Sequence, residues 1–254
     1  MDIRTYLARI NYGAPARPDL ETLRGLHRAH MLSVPFENLD IVPLGRTIQL
    51  NEESLWDKIV ERRRGGFCYE LNGLFAWLLK QIGFDVTYIS ARVFNREGKL
   101  GIEFDHLVLL ARFPDHPKLW LADVGFGDSF TEPLNFEDNG EQPQGLRAYR
   151  LEHLPEGRIL WQRNYAGTWQ RQFFFDLQPR KFPSDYEAGC VYHQTSPQSS
   201  FTGGSIVSIA TPEGRVTLEE KWLIITKDGR REEKTVANHE EHTLLMKEHF
   251  EIVV

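Results

Sequence analysis

The sequence predicts an α+β protein in which helices come first, short strands follow, and a small mixed module ends the chain. Apolar residues recur at helical spacing over roughly the first third of the chain. From Phe84 the apolar period changes to two, which is typical of half-buried strands. A glycine pair at 203 and 204 opens a last section of strand-like runs and one helix. The 254 residues are enough to bury a sizeable core in one or two domains.

The first third of the chain is predicted to form short helices. Apolar residues mark one helix near residues 6–10 and a longer one over 20–31. Asn51 is a suitable cap for a third helix, because its side chain can accept a hydrogen bond from an unpaired backbone N–H. Pro35 interrupts the helical pattern, so we expect residues 36–39 to form a turn or loop.

The middle and end of the chain are predicted to form antiparallel strands. Short, spaced strands of this kind favour an antiparallel sheet or barrel. In the middle of the chain the strand-like runs are 86–89, 106–110, 118–121, 149–151, 159–161 and 169–175. Near the end they are 205–210, 215–218 and 222–226, with a hairpin turn at 212–214 and a helix capped by Asn238. Residues 128–145 are rich in Pro, Gly, Asn and Glu and are predicted to be a loop.

Composition argues against several classes of function. A formal net charge of −6 disfavours general affinity for nucleic acid, which needs a basic surface. Two cysteines form neither a disulfide framework nor a zinc cluster, so no metal is predicted and a reducing compartment is favoured. The first residues lack the apolar core of a signal peptide, and no segment reaches the length of a membrane span. We therefore predict a cytoplasmic protein without a membrane or nucleic-acid partner, and the sequence leaves its oligomeric state open.

A reactive cysteine is predicted at the stretch Arg-Gly-Gly-Phe-Cys-Tyr-Glu-Leu-Asn, residues 64–72. Gly65 and Gly66 allow a sharp turn, and the apolar run that follows is predicted to be a helix ending at Gly83. Cys68 would then lie near a helix N-terminus, where unpaired N–H groups and the helix dipole stabilise an anion. Such a position is expected to lower a thiol pKa and favour a thiolate. The alternative is a buried, inert cysteine after a turn.

A base and an orienting carboxylate are the partners that a nucleophilic cysteine needs. Among nine histidines, His106 is the one that opens an apolar strand and is expected to be held rigidly. Asp123 ends the next strand, and a buried carboxylate there needs a donor such as an imidazole N–H. Taken alone, His106 is better interpreted as a satisfied structural residue and Asp123 as a turn-capping residue. Together with Cys68 they fit a Cys-His-Asp triad, although the pattern leaves open whether the three meet in space.

The stretch at residues 64–72 resembles the signature of the arylamine N-acetyltransferase family. Val-Pro-Phe-Glu-Asn-Leu at 34–39 and Asp-Val-Gly-Phe-Gly at 123–127 resemble two further motifs of that family. Ser196, Pro197 and Phe201, followed by residues 208–214, resemble its C-terminal segment, so the resemblance covers nearly the whole chain in the family's order.

The resemblance implies three structural parts around a cysteine-protease-like core. Residues 1–84 would be a helical bundle carrying the nucleophile. Residues 85–192 would be an antiparallel β-barrel carrying the histidine and the aspartate. Residues 193–254 would be an α/β lid.

The resemblance also implies an enzyme with acetyl-CoA as co-substrate and aromatic amines or hydrazines as acceptors, active in xenobiotic metabolism. Catalysis would be a double displacement through a thioester, acetyl-Cys68. His106 would be the base, and Asp123 would orient it. Phe36 and Phe126 would line the acceptor pocket, where aromatic walls suit a flat arylamine.

Coenzyme A is implied to contact the lid at Gly203 and Ser205, where a Gly-Gly-Ser turn can bring backbone N–H groups near a phosphate. The three arginines at 62–64 are predicted to form a solvated face. Alternatively, Arg64 pairs with Glu37 and fixes the loop that carries the acceptor-pocket phenylalanine.

The residues leave other functions open. The same triad on a related architecture serves cysteine proteases and transglutaminases. The same family fold serves amide synthases that close or release a polyketide chain. A catalytically inactive binding module is a further alternative, against which the intact Cys68, His106 and Asp123 argue.

Overall fold

The structure is a computed structural model that describes residues 1–114 and 116–253, and in those residues helices connect two antiparallel sheets. The α-helices are α1 (Ile3–Arg9), α2 (Leu20–Ser33), α3 (Glu52–Trp56), α4 (Cys68–Ile82), α5 (Glu187–Thr195) and α6 (His239–Phe250). A π-helical turn, Asp57–Glu61, continues α3, and a 3₁₀ turn spans Ser200–Thr202. No helix in this described part of the chain is both long and apolar enough to cross a membrane.

The helix boundaries follow from capping residues in the sequence. Asp19 and Asn51 each accept a hydrogen bond from the backbone N–H three residues on, at 2.8 and 2.9 Å, so the predicted Asn51 cap is confirmed. Helix α4 ends as predicted at Gly83, whose φ of 108° is readily adopted only by glycine. Residues 68–79 of α4 are all buried, because this helix lies between α3 and the strands that follow it.

The larger sheet has eight strands, all paired antiparallel, and forms a nearly closed barrel. Its order is β5-β4-β3-β2-β9-β8-β7-β6. The strands are β2 (Asp85–Val93), β3 (His106–Arg112), β4 (Trp120–Ala122), β5 (Leu134–Asn135), β6 (Gln142–Gln144), β7 (Arg147–Leu154), β8 (Gly157–Arg163) and β9 (Trp169–Arg180). The predicted strands of the middle section are confirmed. The prediction of a loop over 128–145 was wrong in part, because β5 and β6 are too short and polar to show a strand period.

Two glutamine side chains of β6 join the two ends of the barrel. Gln142 accepts from the Asn135 N–H at 2.8 Å and donates to the Asn135 carbonyl at 3.0 Å. Gln144 accepts from the Thr131 N–H at 2.8 Å and donates to the Glu132 carbonyl at 2.7 Å. The seam between β5 and β6 is therefore bridged by amide side chains that mimic a strand pairing.

The smaller sheet contains one strand from far upstream in the chain. Its order is β1-β10-β11-β12-β13, with β1 (Phe36–Glu37), β10 (Ile206–Thr211), β11 (Gly214–Glu219), β12 (Trp222–Lys227) and β13 (Arg230–Thr235). The prediction of a turn or loop at 36–39 was wrong for the first two residues, because Phe36 pairs with Ser208 and Glu37 with Val207. Asn38 supports this pairing by donating to the carbonyl of Gly204 at 2.9 Å.

We expect Gln144→Ala to weaken the barrel seam. The substitution removes the acceptor and donor of Gln144, and each lost hydrogen bond costs about 1 kcal/mol of unfolding free energy. Urea denaturation measures the loss. Gln170→Ala is the matched control, because Gln170 is exposed on β9 and should leave the midpoint unchanged. Equal stability of the two variants would contradict a structural role for the seam.

Candidate active site

A cavity of about 1100 Å³ lies between the barrel, the smaller sheet and the start of α4. Six of the seven residues predicted for the site line it: Phe36, Cys68, His106, Phe126, Gly203 and Ser205. The seventh, Asp123, is fully buried behind the wall. The structure therefore gathers, around one space, residues that lie far apart in the sequence.

Cys68 is the first residue of α4 and is only 3% exposed. The turn before it needs glycine, since a side chain on Gly65 would collide with the backbone of Pro35. Gly125 lies against the cysteine from the other side, where an added Cβ would be 2.8 Å from the Cys68 Cα. The loop after β4 can therefore approach the cysteine closely because it has no side chain at this position.

The expected lowering of the Cys68 pKa is not found. Burial raises the pKa of this thiol well above its ordinary value, and the backbone N–H of Leu107 only partly opposes that effect. The nearby carboxylates Asp123 and Asp105 raise the pKa further. The prediction was wrong because it considered only the helix N-terminus. This N-terminus lies in the protein interior, where burial outweighs its effect on the thiol pKa. Burial also raises the pKa of the second thiol, Cys190, to about 12.

His106 and Asp123 form a buried pair. The Nε2 atom of His106 lies 2.7 Å from Oδ2 of Asp123. Since an ionised carboxylate only accepts, Nε2 carries the hydrogen, and Nδ1 is the ring nitrogen able to take a proton. The rings of Phe126 and Phe173 pack against the imidazole, with centroids 5.1 and 5.3 Å away. The imidazole is therefore held in one orientation at the wall of the cavity, which Cys68 also lines.

Asn72 organises the same region, although no motif in the sequence indicated a role for it. Its Nδ2 donates to Oδ1 of Asp123 at 2.8 Å and to the Leu107 carbonyl at 2.7 Å. Its Oδ1 accepts from the Val124 N–H at 2.9 Å. The signal was present, because Asn72 lies four residues after Cys68 and so shares its helix face.

Three further histidines are buried, so the expectation that His106 alone is held rigidly was wrong. His27 and His30 lie on the buried face of α2, and His193 lies on α5 against the cavity. Histidines that are buried on a helix lack the period-two pattern of a strand, which was the signal that identified His106.

A cluster of five buried charged side chains lies behind the start of α4. The Nζ atom of Lys58 is 2.7 Å from Asp40, 2.8 Å from Glu70 and 3.7 Å from Glu37. The Arg64 guanidinium is 2.7 Å from Glu37 and 3.3 Å from Asp40. The Arg64–Glu37 pairing is therefore confirmed, and the prediction of a solvated face at 62–64 was wrong for Arg64.

The predicted CoA contacts, Gly203 and Ser205, line the cavity in the segment directly before β10. Ser205 is buried, and Gly203 donates its N–H to the Ser200 carbonyl at 3.4 Å. Phe36 packs near Phe201, with ring centroids 6.0 Å apart. Within residues 1–114 and 116–253, no three His, Cys, Asp or Glu side chains are grouped as a metal site.

Comparison with known proteins defines the class of this chain. A family model described as N-acetyltransferase matches residues 19–254. An arylamine N-acetyltransferase of Mycolicibacterium smegmatis is 36% identical over 235 residues, or 91% of this chain and 85% of the relative. A protein of Salmonella typhimurium (strain LT2) named arylamine N-acetyltransferase / N-hydroxyarylamine O-acetyltransferase is 36% identical over 213 residues, or 84% and 74%.

A solved structure extends the likeness to the fold. Mycobacterium marinum arylamine N-acetyltransferase in complex with CoA matches with a TM-score of 0.92 at 33% identity, covering 99% of this chain and 93% of that one. The chain is thus an acyltransferase by class. It belongs to the arylamine N-acetyltransferase family, which confirms the resemblance seen in the motifs.

We expect Asn72→Ala to destabilise the protein strongly. The change removes three buried hydrogen bonds and leaves their partners unpaired, at about 1–3 kcal/mol for each unsatisfied group. Urea denaturation at neutral pH measures the difference. Asn139→Ala is the control, because Asn139 is an exposed residue in the loop before β6, with an ordinary backbone conformation. A loss no greater than that of the control would show that Asn72 is not a structural hub.

Proposed function

We propose that this protein transfers the acetyl group of acetyl-CoA to aromatic amines and hydrazines by double displacement through acetyl-Cys68. The observation that carries the proposal is the cavity shared by Cys68 and His106, with His106 bonded at 2.7 Å to the buried Asp123. Family membership supports the same reaction. The three residues act as nucleophile, base and orienting carboxylate.

In the first half-reaction the thiol of Cys68 attacks the thioester carbonyl of acetyl-CoA. Burial raises the pKa of Cys68, so the proton of its thiol needs an acceptor, and Nδ1 of His106 takes it as attack begins. Asp123 stabilises the imidazolium that forms. Backbone N–H groups at the start of α4 stabilise the oxyanion. The C–S bond to CoA then breaks, and His106 returns the proton to the departing CoA sulfur.

In the second half-reaction the amine nitrogen attacks the carbonyl of acetyl-Cys68. The bond to the cysteine sulfur breaks, and the proton lost by the nitrogen passes through His106 to the released thiolate. The acceptor ring lies against Phe36 and Phe126, which both line the cavity. Exchange between two thiols is nearly isoenergetic, so the enzyme keeps the acetyl group activated for a weakly basic amine.

In this proposal, each of the three parts predicted from the sequence has a separate role. Residues 1–84 carry the nucleophile, residues 85–192 carry the base and its partner, and residues 193–254 form the lid that receives CoA. Gly203 and Ser205 lie on the lid side of the cavity and are the proposed contacts of CoA. The CoA complex of the Mycobacterium marinum relative supports acetyl-CoA as co-substrate. We propose a cytoplasmic role in the acetylation of foreign amines.

We expect wild-type protein to gain the mass of one acetyl group when acetyl-CoA is added without an acceptor. Adding an arylamine should restore the original mass. Cys68→Ala should gain no acetyl group, because Cys68 supplies the thiol that lines the cavity, whereas Cys190→Ala should behave as wild type. Intact mass spectrometry makes the measurement.

The same experiment separates the alternatives. An acetylated Cys68→Ala protein, or a wild type that is never acetylated, would overturn the proposed mechanism. Cleavage of a peptide without acetyl-CoA would indicate a protease. Preference for long acyl thioesters over acetyl-CoA would indicate an amide synthase.

We expect Phe126→Ala to weaken acceptor binding while acetyl-Cys68 still forms. Loss of the ring should forfeit about 1–3 kcal/mol of apolar contact, which raises the arylamine KM. Phe113→Ala is the control, because Phe113 is also partly buried but does not line the cavity. Steady-state kinetics with a fixed acetyl-CoA concentration measures the effect. An unchanged KM would place Phe126 outside the acceptor site.

A further inference from the structure

His27 joins α2 to both ends of the loop that carries Asp123. Its Nε2 atom lies 3.1 Å from the backbone nitrogen of Asp123, and its Nδ1 atom lies 2.9 Å from the carbonyl oxygen of Thr131. Loop 123–131 also carries Phe126, which packs on His106. One imidazole thus closes the whole loop.

The two partners of His27 define its tautomer. A backbone N–H can only donate, so Nε2 must accept from Asp123. A carbonyl oxygen can only accept, so Nδ1 must carry the hydrogen and donate to Thr131. A protonated ring, with hydrogens on both nitrogens, would confront the Asp123 N–H with another donor.

The surroundings of His27 hold this neutral ring in place. The residue is 0% exposed. Its ring stacks on Phe130 with a centroid distance of 5.5 Å and meets the edge of Phe75 at 6.0 Å. Burial lowers the pKa of His27 to about 4, although its hydrogen bond with Thr131 and the charge of Asp123 oppose the shift. The ring is therefore neutral at any pH at which an acetyltransferase would be assayed.

We propose that His27 is a positioning residue, which as the neutral Nδ1–H tautomer holds loop 123–131 so that the Asp123 carboxylate meets His106. The inference rests on the proposed function, because it assigns to Asp123 the orienting of the catalytic base. His27 is not one of the residues that line the cavity. It acts on the main chain of Asp123, whereas Asn72 acts on the side chain.

The same helix supplies a matched control. His30 lies three residues further along α2 and is equally buried, packing on Tyr6 and Phe75. Within residues 1–114 and 116–253, neither ring nitrogen of His30 has a hydrogen-bond partner. Replacing His30 therefore changes the packing of α2 without touching the loop.

The test compares His27→Phe, His27→Gln and His30→Phe with wild type. The readouts are the single-turnover rate of acetyl-Cys68 formation, the pH profile of Cys68 alkylation by iodoacetamide, and the thermal midpoint. His27→Phe keeps the ring packing but loses both hydrogen bonds. We expect it to slow acetylation roughly 10²-fold, as misplacement of a supporting group does, and to shift the alkylation profile.

The conservative variant His27→Gln should rescue the function. A glutamine side chain at this position is not a ring, but its amide has an oxygen to accept from Asp123 and a nitrogen to donate to Thr131. His27→Gln should therefore recover most of the rate and the wild-type pH profile. His30→Phe should alter only the thermal midpoint. A His27→Phe protein that acetylates at the wild-type rate, or that matches His30→Phe in every readout, would overturn the proposal.

A measurement on the wild-type protein decides the question even if His27→Phe does not fold. The ¹⁵N chemical shifts of His27 should report the neutral Nδ1–H tautomer from mildly acidic to mildly alkaline pH, and an Nε2–H tautomer or a charged ring would overturn the assignment. A wild type that never forms acetyl-Cys68 would instead refute the proposed function, while the alkylation profiles and the tautomer would still decide the role of His27.

Discussion

The buried ion cluster around Lys58 is the constraint on which the position of Cys68 depends. Lys58 comes from the π-helical turn, Glu70 from the first turn of α4, and Glu37 and Asp40 from the segment that begins with β1. Glu70 also accepts from the backbone N–H of Phe67 at 3.1 Å, directly before the cysteine. The same carboxylate therefore caps the helix and binds the lysine, so the place where α4 begins is set by a charge pairing.

The cluster contains three carboxylates and two cations, and the pKa values of Glu70 and Asp40 shift in opposite directions. Burial raises the pKa of Glu70, with Lys58 opposing the shift. Burial alone would raise the pKa of Asp40 as well, but its contacts with Lys58 and Arg64 lower it below its usual value. Removing one member of such a buried group leaves a charge uncompensated, which typically costs about 3–5 kcal/mol. The segments packed behind Cys68 are therefore held by ion pairs that depend on one another.

Loop 123–131, which carries Asp123, is also bound to both sheets. At its far side Asp128 accepts from Arg147 of β7 at 2.6 Å and from Arg215 of β11 at 3.0 Å. Arg147 belongs to the barrel and Arg215 to the smaller sheet, so this one carboxylate links both sheets. Together with the contacts of His27 and Asn72, these bonds attach the loop of Asp123 to two helices and to both sheets.

The sequence predicted those features that repeat or that lie close together along the chain. Periodicity gave most helices and strands, and the end of a strand pointed to Asp123. The sequence pattern did not predict β1, because Phe36 pairs with Ser208, which lies far away along the chain. It missed the roles of His27 and Asn72, because a single hydrogen bond between distant residues has no period. The predicted lowering of the Cys68 pKa was wrong for a related reason. A helix N-terminus is visible in the local sequence, whereas burial depends on every element packed around Cys68.

The barrel seam and the aspartate loop meet at one residue. The N–H of Thr131 is bound by Gln144 of the seam, and its carbonyl is bound by His27 of α2. In a barrel, a seam closed by side chains is the part expected to open locally most easily. Its hydrogen bonds can be replaced by bonds to water one at a time. Here the backbone of Thr131 connects the seam to His27, which also accepts a hydrogen bond from the backbone N–H of Asp123. The two ends of one short loop are thus tied to different supports, Asp123 to His27 and Asn72 and Thr131 to His27 and the seam, so a loosened seam should be felt at Asp123.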